Sequence, residues 1–70
     1  MKPNRTKRYY IKNIDADNID VCNHLLKMNM RFSLVRDTFI VKDSFDKEND
    51  LKAMIKEFLN KGKTIILSFN

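Results

Sequence analysis

His24 and Cys22, the only histidine and the only cysteine of this 70-residue chain, are the side chains best suited to nucleophilic or metal chemistry. Two positions apart on a helix they point in different directions, so neither a Cys–His nucleophile pair nor joint metal ligation is expected. Cys22 reads as a small core residue and His24 as a surface one. Carboxylates come next. Asp15 and Asp17 follow an aromatic and aliphatic stretch, where either could hold a divalent cation for nuclease chemistry. Their role as helix caps already explains them. The single glycine excludes a phosphate-cradling Gly-rich loop. The expectation is a chain with no catalytic set, no metal site and no cofactor.

What remains is a basic and aromatic set. Residues 1–12 carry Lys2, Arg5, Lys7, Arg8 and Lys12 with no acid, whereas Lys/Arg and Asp/Glu balance from Asn13 onward, so the net charge of +5 belongs to the N-terminal end. Residues 1–7 read as a flexible basic arm, and residues 8–70 as a single compact α+β domain. A short basic arm attracts phosphate backbones through counterion release, or simply keeps a small protein soluble.

These side chains are positioned by a readable series of elements. Arg8 to Ile14 is aromatic and β-branched and reads as a strand. Asp15 to Asn18 then offers helix caps, with Asp17 foremost, and Ile19, Cys22, Leu25, Leu26 and Asn29 follow at helical spacing. Phe32 and Leu34, then Phe39 and Val41, alternate on either side of Arg36-Asp37, which predicts a hairpin turning at that pair. Arg-Asp is poor chemistry for a two-residue turn, where Asn-Gly or Asp-Gly is preferred, so a longer loop or a single bent strand is the alternative. Leu51, Met54, Ile55, Phe58 and Leu59 form the stripe of a second helix, capped by Ser44 or Asp46, supported by Glu48–Lys52 and Glu57–Lys61 pairs, and stopped by Gly62. Lys63 to Asn70 reads as a last strand. The order strand, helix, strand, strand, helix, strand is that of ferredoxin-like βαββαβ folds, with two helices on one face of a four-stranded antiparallel sheet.

Helices on one side leave the other side of the sheet open. With Tyr9, Ile11, Phe32, Leu34, Phe39, Val41, Ile65, Leu67 and Phe69 assigned to the core, the open face carries Arg8, Tyr10, Lys12, Arg31 and Lys42. Ser33, Thr38, Ile40, Thr64, Ile66 and Ser68 join them, and no acid is assigned there. Cations around an aromatic ring suit single-stranded nucleic acid, whose phosphates are held while a base stacks on the ring. Here the chain resembles the RNA-recognition motif: Tyr9-Tyr10-Ile11-Lys12-Asn13-Ile14 is similar to that family's first-strand signature, apolar–aromatic–apolar–x–Asn–apolar. The resemblance places Tyr10 where the base-stacking aromatic stands. Phe39 in Asp37-Thr38-Phe39-Ile40-Val41 aligns with an aromatic of the third-strand signature. That alignment needs Phe39 outward, and the signature's glycine and second aromatic are absent.

Composition sets the remaining bounds. At 43% hydrophobic and 33% charged residues the chain is too apolar for a disordered one. One cysteine excludes an internal disulfide framework and points to a reducing cytoplasm. No apolar run approaches the ~20 residues of a membrane span, so no membrane partner is expected. Lys, Asn and Ile supply 25 of the 70 residues, a usage that AT-rich coding sequences of phages and mobile elements produce. The leading expectation is a non-enzymatic RNA- or single-stranded-nucleic-acid-binding domain using Lys2, Arg5, Lys7, Arg8, Tyr10, Lys12, Arg31 and Lys42. The alternatives are an inhibitor that binds a host nuclease, toxin or other defence protein, and a minimal nuclease using Asp15 or Asp17. A homodimer is a further expectation, through a patch of Tyr10, Val35, Ile40 and Ile66.

Overall fold

A computed structural model describes residues 7–43 and 46–69. Its elements are β1 (Lys7–Asn13), α1 (Asn18–Lys27), β2 (Phe32–Val35), β3 (Thr38–Asp43), α2 (Glu48–Asn60) and β4 (Ile65–Phe69). The strands form one sheet in the order β2-β3-β1-β4, with every neighbouring pair antiparallel. The molecule is thus an α+β fold with a four-stranded antiparallel sheet and two helices.

Alternation decides the core. Tyr9, Ile11 and Asn13 of β1, Phe39 and Val41 of β3 and Ile65 of β4 are buried. The hydrophobic ones share one cluster with Val21 and Leu25 of α1, Met30, and Leu51, Met54 and Phe58 of α2. Period-2 strands facing period-3.6 helices produce this single interior. Among the described residues Asn13 is the buried polar one, and its amide is satisfied locally. Its Nδ2 donates to the Ala16 carbonyl and to Asn18 Oδ1, while its Oδ1 accepts from the Ala16 amide. This network shapes the β1–α1 connection.

Both helices end in the same way. Asn29 (φ 58°) follows α1 and Gly62 (φ 78°) follows α2 in the left-handed region. The Asn29 and Gly62 amides donate to Leu26 and Leu59 carbonyls, and the Met30 and Lys63 amides to Leu25 and Phe58 carbonyls. These are Schellman caps, which need a residue tolerant of positive φ. Asn29 therefore stops α1 instead of extending its stripe, and Met30, just beyond, is buried against the core. At the other ends, Asp17 caps α1 and its carboxylate accepts from the Ile19 amide. The N-cap of α2 is Lys47, without a side-chain cap bond, and Asp46, one residue before it, accepts from the Glu48 amide. Ser44, the other expected cap, lies outside the described residues.

Several side chains depart from their expected places. Ile19 and Leu26 are exposed while Val21 and Leu25 are buried, so the face α1 turns to the sheet is rotated from the expected stripe. Leu59 is 53% exposed at the edge of the α2 stripe. On β2 and β4, both sheet edges, Leu34 and Phe69 are exposed rather than core. Leu34 pairs opposite buried Phe39, and Phe69 still sets its ring edge-on to Tyr9 at 5.8 Å. The Glu48–Lys52 pair forms at 2.6 Å. Glu57 instead meets His24 at 2.7 Å, and Lys61 lies over the Phe58 ring.

Candidate functional site

Ladder register lays out the open face row by row. Arg8 stands opposite Lys42 on β3. In the next row Tyr10 lies between Ile40 on one side and Ser68 on the other, with Ser33 beyond Ile40. In the third row Lys12 lies between Thr38 and Ile66, with Val35 beyond Thr38. Rows along β1 are about 7 Å apart, two residues of extended chain. Arg8, Lys12 and Lys42 are exposed, and Tyr10 and Ile40 are half-buried. A half-buried ring flanked by aliphatic and hydroxyl side chains has a fixed orientation with its surface still accessible.

The charges of this face are unbalanced. Two cations directly opposite each other on neighbouring strands repel, and Arg8 faces Lys42 in that way. Among the described residues the ion pairs are Lys7–Asp46, His24–Glu57 and Lys52–Glu48, so Arg8, Lys12, Lys42 and Arg31 take part in none of them. No acid occupies an outward position of the described strands. Such a one-sign surface attracts anions and concentrates them.

Not every residue of the expected set joins this face. Lys7 begins β1 instead of ending an arm; it alternates with Arg8 onto the helix side, and its Nζ lies 3.6 Å from Asp46. Arg31 precedes β2, whose first ladder pair is Phe32 with Val41, so it is exposed beside the Lys42 row but not within a strand. Lys2 and Arg5 lie outside the described residues. Phe39 is fully buried, which rules out the outward alignment of that ring.

The β2–β3 hairpin tip closes this end of the sheet. Val35 pairs with Thr38, leaving Arg36 and Asp37 as a two-residue turn. Arg36 has φ 60° while Asp37 does not share a positive φ, the sign pattern of a type II′ turn. The Asn13 amide donates to the Asp37 carbonyl at 2.7 Å, and the Thr38 hydroxyl donates to the Asp37 carboxylate at 3.1 Å. Arg36 was not among the residues expected to contribute; the unfavourable Arg-Asp turn chemistry is the signal that singles it out.

Elsewhere the acid candidates hold backbone. Asp15 accepts from the Thr64 amide and Asp17 from the Ile19 amide, and among the described residues no cluster of three His, Cys, Asp or Glu side chains could hold a metal. An open groove of about 610 Å³ runs between α1 and α2, with Asp20, Lys27, Lys61 and the His24–Glu57 pair along it. Among the described residues no Ser, Thr or Cys lines the groove. Among the described residues no helix is long and apolar enough to cross a membrane. No known protein family, characterised protein or solved structure matches the chain.

Proposed function

We propose that the chain binds single-stranded nucleic acid, RNA foremost, across the open face of its sheet. The observation that carries this reading is Arg8 opposite Lys42, one row from Tyr10, on a face whose described strand positions hold no acid. A polyanion neutralises the opposed cations, and a base stacked on Tyr10 occupies the ring surface that the sheet leaves open. Two copies meeting through this face about a two-fold axis would bring cations against cations, so the charge pattern disfavours the homodimer through Tyr10, Ile40, Val35 and Ile66. Nothing in the geometry favours a nuclease or toxin partner over an anionic polymer.

The fold supports the same reading at a finer level. Counted from β4 the strand order is 4-1-3-2, so β3 separates β1 from β2 and β1 separates β3 from β4. That order supports reading the sheet as two interleaved split β–α–β units, the ferredoxin-like arrangement we propose for it. With the first-strand hexamer, that arrangement is the basis for comparing the face with RNA-recognition motifs, an analogy at the level of fold.

Fluorescence anisotropy with labelled single-stranded RNA, duplex RNA and duplex DNA over a salt series tests the proposal. Single-stranded RNA is expected to bind most tightly. Contacts from Arg8, Lys12 and Lys42 contribute about −2 to the slope of log K against log salt. Tyr10→Ala is expected to weaken binding by about tenfold, the loss of one stacked base, with an unchanged circular dichroism spectrum. Equal affinity in the variant, or no binding at low salt, would sink the assignment; the latter turns attention to an acidic protein partner.

A further inference from the structure

We infer that Arg36, at the tip of the β2–β3 hairpin, is an additional phosphate contact of the proposed nucleic-acid face, held there at the expense of backbone strain. The inference rests on the nucleic-acid reading above and extends its footprint past the Lys12 row.

Three described residues have positive φ, and the chain treats them differently. Gly62 and Asn29 are the two residue types that tolerate the left-handed region, and each closes a helix. Arg36 has neither property. In a two-residue turn whose first central position needs positive φ, glycine is the residue of choice. The turn is fixed from both sides, by the Val35–Thr38 ladder pair and by the Asn13 amide on the Asp37 carbonyl. Arg36 therefore cannot relax without loss of sheet pairing, and strain of this kind persists only where surrounding structure imposes it.

Its surroundings say what the arginine offers. Arg36 is exposed, and the adjacent Asp37 carboxylate is engaged by the Thr38 hydroxyl. None of the ion pairs among the described residues includes Arg36. Thr38 pairs with Lys12, so the hairpin tip and Lys12 belong to the same end of the sheet, while Arg8 and Lys42 occupy the other. A strand laid along β1 would meet cations at both ends, with Tyr10 between them. Guanidinium suits the distal position because its planar donors grip phosphate in a fork.

The decisive comparison is between Arg36→Gly and Arg36→Lys in the whole chain, each measured for thermal stability and for anisotropy with single-stranded RNA. Arg36→Gly is expected to melt higher by about 4 °C as strain is released. It should bind several-fold more weakly, with the salt slope shallower by about 0.7. Arg36→Lys should keep the parent's melting temperature and salt slope. A stabilised Arg36→Gly that binds as the parent does would overturn the contact, and a destabilised one would overturn the strain argument. If Tyr10→Ala weakens binding while Arg36→Gly does not, the proposed function stands without this residue. Failure of the parent chain itself to bind removes both.

Discussion

Asp46 shows how much a single exposed side chain can organise. Its Oδ1 accepts from the Glu48 amide at 2.9 Å and from the Tyr9 hydroxyl at 3.3 Å, while Tyr9 Oη in turn accepts from the Lys47 amide at 2.9 Å. Lys7 lies beside the same carboxylate. The Glu48 amide above all, with the Lys7 charge and the Tyr9 hydroxyl, holds its pKa below the ordinary 3.8. A carboxyl depressed in the folded state contributes stability above its unfolded pKa, and that contribution fades as pH falls through the folded value. Asp46→Asn is therefore expected to melt lower than the parent at pH 7, with the gap closing below about pH 4. Thermal melts of both chains between pH 2.5 and 7 check this, and a constant gap would mean that the carboxylate charge plays no part. The same contacts place Lys7 at the β1–α2 junction, on the helix side of the sheet.

At the scale of elements, helix ends are where the chemistry of individual residues is most decisive. Gly62 has φ 78° and a Cβ built there would meet nothing within 4 Å. Gly62→Ala thus isolates the conformational cost of the left-handed region from any steric one. The expected loss is about 1 kcal/mol, or ~4–8 °C in melting temperature for a domain of this size, measured by circular dichroism. No change would show that the cap rearranges. Periodicity identified both helices, but the face of α1 was not legible. Ile19, Cys22 and Leu26 share one face and Val21, Leu25 and Met28 another, and apolar spacing alone does not choose between them. Packing against the sheet chose the second, leaving Ile19 and Leu26 exposed.

For the molecule as a whole, stability rests on one small core. Phe39 is fully buried at the centre of the sheet, 5.8 Å from the Phe32 ring and opposite Ile11. Truncating such a ring costs about 3–5 kcal/mol, against about 4–10 kcal/mol for a domain of this length. Phe39→Ala is expected to remove most of the cooperative melting transition seen by near-ultraviolet circular dichroism. A sharp transition close to that of the parent would contradict this core. The open face has little part in that balance. Its cations can be changed with small effects on folding, because exposed charges contribute little to stability.

Local chemistry alone determined the order of the six elements, the Asp17 and Gly62 caps and the polar break at Arg36-Asp37, because hydrophobic period, capping groups and breakers act over a few residues. It also carried the alternation that sends Arg8, Tyr10 and Lys12 to one side of β1, since side-chain direction in a strand follows from the pleat. Only the tertiary structure decided that Lys42 stands opposite Arg8, that Lys7 pairs with Asp46, that Glu57 reaches His24, and that edge residues Leu34 and Phe69 stay exposed. Those outcomes depend on strand order and on how far two helices cover four strands. Both are set by contacts between residues more than thirty positions apart, such as Tyr9 with Asp46 and Thr64 with Asp15, and no local pattern encodes them.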